Sequence, residues 1–189
     1  SKKILFQQVI PREWAQELAD LARRRGWQLQ TYIDDVLRAA RDDEWIRDYE
    51  RITHSKACIC GDDFYHVQGD CNKLLSRGGH DDLVARKALI EKTFPGRFNV
   101  LFSAPTFLEI MPQGVDKGEG IRRLGELYGI GTDEIMALGD SQNDLDMLKA
   151  AGFPVAMANA AEEVKAAAAY VTASNDDDGV AAAVEKFVL

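Results

Sequence analysis

From residue 113 to the C-terminus the chain alternates short apolar runs with helical stretches, and that rhythm restricts the fold more than any other feature. "DKGEGIRRLGELYG" begins with Asp116 and Glu119 at capping-box spacing and stops at Gly129, as a helix should. "EIMAL" follows, apolar at neighbouring positions that face opposite ways, which predicts a strand buried on both faces. "NDLDMLKAAG" predicts a helix ending at Gly152, "FPVAMA" a second buried strand and "YVTA" a third. Asn159 is placed to cap "AAEEVKAAAAY", and Asp178 to cap "GVAAAVEKFVL". Strands alternating with helices of about ten residues imply parallel βαβ units in a Rossmann-like sheet. A sheet of three such strands is thin for a parallel sheet covered on both faces, so residues 113–189 predict part of a larger α/β domain.

Residues 1–112 have a different rhythm. "PREWAQELADLARRRG" sets Trp14, Leu18 and Leu21 on one stripe of a helix closed by Gly26. "WQLQTYIDD", "ACIC" and "NKLLS" predict strands, while "DDEWIRDYERITH" and "HDDLVARKALIEKTFPG" predict helices. "FNVLFSAPTFLEIMP" predicts two strands joined at Ala104 and Pro105. Antiparallel strands with helices between them predict an α+β layer, separate from the parallel half, with the change near Pro112.

The bulk composition excludes some functions. Acidic residues outnumber basic ones 31 to 23, giving a formal net charge of -8, so a nucleic-acid or anionic-membrane surface is not expected. No apolar run is long enough to span a bilayer, and the first thirty residues carry no signal-peptide pattern, which together predict a cytoplasmic protein. The three cysteines, Cys58, Cys60 and Cys71, suit reduced thiols better than a disulfide framework. With His54 and His66 they suggest a zinc cluster, but structural zinc sites pair cysteines as C-x2-C or wider, and "ACIC" is spaced as a strand.

Chemistry concentrates in "LGDSQNDLDML", which holds three carboxylates between residues 140 and 146. Asp140 follows Gly139 at the carboxyl end of a predicted parallel strand, where open α/β sheets bind ligands. Asn143 and Asp144 open the next helix, near unbonded N–H groups and the positive end of its dipole. Capping accounts for one or two of these residues but not for Asp140, Asn143, Asp144 and Asp146 together. A hard dication accounts for more of them, because magnesium is held by one or two carboxylates plus water and phosphate. Lys117 is the second anomaly. It lies in a first helical turn, where the dipole opposes a cation, and between Gly118 and its near neighbour Gly120 the helix forgoes about 1 kcal/mol per glycine relative to alanine. A lysine aimed at a bound phosphate, with glycines admitting the anion, gives both a cause.

The stretches "EIMPQGVDKGEGI" and "MALGDSQNDLDMLKAAGFPVAMANAAEEVKAAAAYVTASNDDDGVAAAVEKF" resemble the haloacid dehalogenase (HAD) superfamily, specifically its Cof-like, type IIB phosphatases. The resemblance implies a partial HAD core, three-layered α/β/α and Rossmann-like, over residues 113–189, and an α+β cap of type C2 over residues 1–112. It implies a Mg2+-dependent phosphatase that hydrolyses small phosphorylated metabolites such as sugar phosphates through an aspartyl-phosphate. Lys117 would bridge nucleophile and phosphate as a catalytic group, Asn143 would contact phosphate, and Asp140 and Asp144 would serve the metal. Gly139 and Asn159 would support the site. The family's D-x-D-G-T nucleophile motif does not occur in the chain, and the adjacent acids Asp34–Asp35 and Asp62–Asp63 are not spaced to replace it. The opening "SKKILFQQVIP" resembles the stretch that leads into the cap, so a nucleophile-bearing segment is expected before it, and these 189 residues alone are expected to be inactive. Two alternatives compete: a non-catalytic phosphate- or metal-binding module, and a phosphomutase or phosphosugar phosphatase on the same scaffold.

Overall fold

A computed structural model describes residues 5–189; the first four residues of the predicted lead-in, Ser1–Ile4, lie outside the described residues. The chain divides into two compact units, Ser1–Gln113 and Gly114–Leu189.

In the first unit the elements run α1 (Arg12–Arg25), β1 (Gln30–Ile33), β2 (Val36–Ala39), α2 (Glu44–Thr53), β3 (Cys58–Ile59), β4 (Lys73–Arg77), α3 (His80–Thr93), β5 (Phe98–Ala104) and β6 (Phe107–Pro112). α1 buries Ala15, Leu18, Ala19 and Ala22, the i, i+3, i+4, i+7 spacing of one helical face, and stops where Gly26 takes φ 66°. Its six-stranded sheet has the order β3-β2-β1-β4-β6-β5. Every neighbouring pair is antiparallel except β2 with β3, which is parallel because α2 carries the chain back between them. The α+β expectation did not include that crossover.

Asp34 and Asp35, read as acids at a strand end, are instead the two-residue loop between the paired residues Ile33 and Val36. Both have positive φ, 52° and 61°, as a type I′ hairpin turn requires, and both are exposed. The main core packs α1 and α3 on one face of the sheet through Leu18, Leu74, Leu83, Leu108 and Ile110. Leu37, Tyr49 and Leu75 form a smaller cluster.

The second unit contains α4 (Lys117–Tyr128), β7 (Met136–Gly139), α5 (Leu145–Ala150), β8 (Phe153–Ala156), α6 (Glu162–Ala166), β9 (Tyr170–Val171) and α7 (Gly179–Phe187). β7, β8 and β9 make a parallel three-stranded sheet in that order. Together the units give the α/β fold expected: a partial Rossmann-like layer and an α+β layer.

Several local expectations need correcting. β7 is buried only at Ala137 and Gly139, with Met136 and Leu138 half-buried, because alternate residues face opposite sides of the sheet and one side is less covered. Asn159 does not cap α6, whose N-cap is Ala161; the helix is five residues long, and Ala169 has left it to donate its N–H to Pro154 O at 2.8 Å. Asp178 does precede α7, but at φ 54° and without a side-chain capping bond. Gly118, expected to admit an anion, is buried against α5: a Cβ there would lie 2.4 Å from the Asp146 carbonyl oxygen. A Cβ on Gly120 would meet nothing within 4 Å.

Candidate active site

β7 delivers its last residue, Gly139, to the carboxyl edge of the parallel sheet, and the chain turns through a 3-10 segment, Gln142–Asp144, into α5. A Cβ on Gly139 would sit 2.5 Å from Asp144 Cβ and 3.0 Å from its Cγ. Glycine is therefore the residue that lets the turn fold back far enough for the Asp144 carboxylate to lie under the backbone it follows. Asp144 is 4% exposed. Its Oδ2 accepts the backbone N–H groups of Asp140 and Ser141, each at 3.0 Å, and its Oδ1 accepts a hydrogen bond from Lys117 Nζ.

Burial by itself would raise the pKa of Asp144. The Lys117 hydrogen bond and the two backbone donors outweigh burial and hold the carboxyl below its ordinary value. Asp144 is thus an anion at neutral pH, and it answers the anomaly of Lys117: a cation at a helix N-terminus is opposed by the dipole but is held here by a buried carboxylate. The Lys117 side chain remains half exposed, so the ammonium has donors to spare for a second anion.

Asp140 stands at the same edge. Its Oδ1 accepts from Ser141 Oγ at 3.1 Å and its Oδ2 from Asn159 Nδ2 at 3.0 Å. Asn159 Oδ1 in turn accepts the backbone N–H of Asn175 at 3.0 Å, tying the loop after β9 to the loop after β8. Lys117, Asp144, Asp140 and Asn159 are thereby joined in one run of hydrogen bonds, with Gly139 making room for it. Asn143 is adjacent in the turn, and its Oδ1 is buried without a partner. Asp146 is exposed on α5. Sequence reasoning missed Ser141 as a bridge between the two carboxylates, although it lies inside the stretch singled out. Asn175 contributes only a backbone N–H, which no residue pattern announces.

The oxygen donors here suit a hard cation such as magnesium and not zinc. Asp140, whose carboxylate oxygens each accept one bond, retains lone pairs for a metal, and the orphaned Asn143 oxygen is the kind of atom a bound group would satisfy. Asp144 Oδ2 already accepts two backbone donors, while its Oδ1 accepts only Lys117 and keeps a lone pair. Among the described residues no three His, Cys, Asp or Glu side chains gather closely enough to hold a metal by themselves. Cys58 and Cys60 approach each other, Sγ to Sγ at 3.9 Å, while Cys71 is buried elsewhere in the core.

A parallel sheet with a lysine, two aspartates and an asparagine gathered at its carboxyl edge defines a Rossmann-like protein with its polar cluster where open α/β sheets bind ligands. The family model described as haloacid dehalogenase-like hydrolase matches residues 1–184. A solved haloacid dehalogenase-like hydrolase from Bacteroides thetaiotaomicron is similar at 33% identity and TM-score 0.86, over 98% of this chain and 70% of that one. A relative from Haemophilus influenzae, provisionally named as a phosphatase, is 38% identical over 115 residues, 61% of this chain and 44% of that protein. A 5-amino-6-(5-phospho-D-ribitylamino)uracil phosphatase of Bacillus subtilis is 28% identical over 182 residues, 94% of this chain and 67% of the enzyme. This chain belongs to the haloacid dehalogenase-like hydrolases. The match spans less than half the length of the Haemophilus relative.

Proposed function

We propose that residues 113–189 are the C-terminal part of the catalytic core, and residues 1–112 the cap, of a phosphatase that hydrolyses phosphomonoesters of small metabolites. The observation that carries this reading is the half-exposed Lys117 ammonium anchored on buried Asp144 at the edge where Asp140 also stands. In this reading Lys117 binds the substrate phosphate and orients it for a nucleophilic carboxylate, with Asn143 as a further phosphate contact. Asp140 is the carboxylate offered to Mg2+, and Asp144 fixes both Lys117 and the Asp140 backbone. Gly139 and Asn159 hold the carboxylates in place. Magnesium, when bound, neutralises charge on the phosphoryl oxygens; the residues of this chain supply the binding, the orientation and the fixed charge around it.

Sugar phosphates and related polyol phosphates are the substrate class we favour, supported by the phosphoribityl group in the name of the Bacillus relative. The sequence contains no D-x-D-G-T strand, so we infer that these 189 residues alone do not turn over. α4 also exposes Leu124, Leu127 and Tyr128, to 54%, 52% and 68%, as a partial core would. The free thiols fit work in the cytoplasm, and the acidic balance fits a small-molecule substrate in preference to nucleic acid or membrane. Among the described residues no helix is long and apolar enough to cross a membrane.

The test measures hydrolysis of p-nitrophenyl phosphate and of hexose phosphates, with magnesium and with chelator, by these residues in one polypeptide with a nucleophile-bearing strand. Lys117→Ala and Asp140→Asn are each expected to abolish turnover; wild-type rates in both variants would defeat the assignment.

A further inference from the structure

The first unit contains a cavity of about 420 Å³ where the loops after α1, β2 and β4 meet the start of α3. Its wall is cationic in an unusual way. Arg86, on α3, donates from Nη1 to Ser76 Oγ at 2.9 Å and to Arg77 O at 3.0 Å. Both are neutral acceptors, and among the described residues no carboxylate comes within ion-pair distance of Arg86. Burial works against its charge, and Asp82 offsets that only in part.

Arg77 lines the same cavity and is 2% exposed. Its Nη2 donates to Asp48 at 2.9 Å and its Nη1 to Trp45 O at 3.1 Å, yet its Nε is buried without a partner. Gly79, the N-cap of the fourteen-residue α3, lines the cavity and has no side chain to cap the helix, so the first amides of α3 have no side-chain acceptor at that end.

Among the described residues three acids line the wall, and none forms an ion pair with Arg86. Asp43 is committed to capping α2 through Ile46 N–H at 2.9 Å, Asp62 lies 3.8 Å from Arg23, and Asp82 favours the Arg86 charge without closing to ion-pair distance. A guanidinium without a counter-ion, an orphaned buried donor and an uncapped helix start within one cavity ask for the same thing: a compact anion with several oxygen acceptors. Trp27 and Trp45 also line the cavity, their rings under Arg86 and Arg77 at 5.5 and 5.2 Å, which gives the space an aromatic as well as a cationic wall.

We propose that this cavity is a second anion site, which takes a phosphorylated small molecule with its phosphate on Arg86 and the first amides of α3 and its uncharged part against Trp27 and Trp45. The site lies wholly within the first unit and uses none of the residues around Lys117, so it stands independently of the phosphatase reading.

The full chain is titrated with phenylphosphonate, a probe no phosphatase can hydrolyse, and binding is followed by calorimetry and by the indole N–H signals in NMR. Saturable binding that moves the Trp27 and Trp45 signals and leaves Trp14 in place is expected. Arg86→Gln is expected to weaken binding about tenfold or more. Because Arg86 also bonds to Ser76 and Arg77, a second variant separates binding from folding. Gly79→Asp has open space for its side chain. It places a carboxylate at the N-cap, and is expected to raise the melting temperature while reducing affinity by a similar factor. Lys117→Ala is expected to leave the Trp27 and Trp45 shifts and their midpoint unchanged, whatever it removes from the calorimetric heat. The proposal is overturned by loss of those indole shifts in Lys117→Ala, by undiminished indole-reported binding in Gly79→Asp and Arg86→Gln, or by no saturable shift up to about 10 mM. Inorganic phosphate binding as tightly as phenylphosphonate, with no indole shift, overturns the assignment to a phosphorylated molecule.

Discussion

Two glycines in one helix are expected to respond to the same substitution with opposite signs. Gly118 and Gly120 both lie in the first turns of α4, and replacing either with alanine recovers helix propensity of roughly 0.5–1 kcal/mol. At Gly120 nothing opposes that gain, since an added Cβ meets no atom within 4 Å. At Gly118 the Cβ would lie 2.4 Å from the Asp146 carbonyl oxygen and 2.8 Å from its carbon, both main-chain atoms of α5, so no side-chain rotation can relieve the overlap. Forcing packed elements apart costs typically about 1–3 kcal/mol, and that exceeds the propensity gain. Gly120→Ala should therefore stabilise by about 0.5–1 kcal/mol, and Gly118→Ala should destabilise by about 1–2 kcal/mol net. All three tryptophans lie in the first unit, so their fluorescence does not report the second unit directly. Urea unfolding followed on the amide signals of Ala137 and Val155, in the parallel sheet, is the suitable assay. If Gly118→Ala proves as stabilising as Gly120→Ala, α4 and α5 do not touch at this point, and the route by which α4 presents Lys117 to Asp144 is wrong.

Replacing Asp34–Asp35 with Asn–Gly should stabilise the first unit by about 1 kcal/mol, because both residues hold the positive φ of a type I′ turn that Asn–Gly favours; the urea midpoint by tryptophan fluorescence should rise. Cys71 is fully buried, and burial pushes its thiol up to about 12, so iodoacetamide at mildly alkaline pH should label exposed Cys58 and leave Cys71 intact in the mass spectrum of the folded protein. The hydrogen bond from Arg77, followed by that from Arg51, holds the Asp48 carboxyl below its ordinary value. Its stabilisation is therefore complete above the ordinary carboxylate range, near pH 4, and is lost as pH falls through the lowered value. Asp48→Asn should lower the urea midpoint at neutral pH and flatten its decline in acid; an unchanged acid limb would show that the Arg77 pair is not felt in stability.

The helices were legible because their signals are local. The stripe on α1 and the caps at Gly26, Asp116 and Gly129 follow from neighbours within a turn or two, and all are present. The parallel pairing of β7, β8 and β9 followed from alternation of strand and helix, while their order in the sheet is set by the tertiary structure. Errors fell where distant backbone competes with local preference. Ala167–Ala169 is a strong helix-former by composition, yet Ala169 is drawn to Pro154 O. Asn159 is a good cap by type, yet its amide finds Asp140 and the Asn175 N–H. The two acids of "YIDD" are turn residues because strand pairing, invisible in one sequence, set the register on either side of them. The close stacking of α4 on α5 gives Gly118 its role, and a Gly-Glu-Gly pattern alone suggests only a weak helix start.

In the candidate site, residue types at short spacing announced Asp140, Asn143 and Asp144 as a group, because one turn must bring them together. Lys117 was legible as an anomaly and as a family motif. Which carboxylate receives it was decided by tertiary structure: Asp144 carries the lysine, while Asp140 is held by Ser141 and Asn159. The physical reason is the difference in range. Periodicity, capping and turn chemistry act over a few residues and are written into the order of side chains. The partner of a charge is whichever opposite charge the packing of separate helices and strands brings within a few ångströms, and that depends on every contact at once.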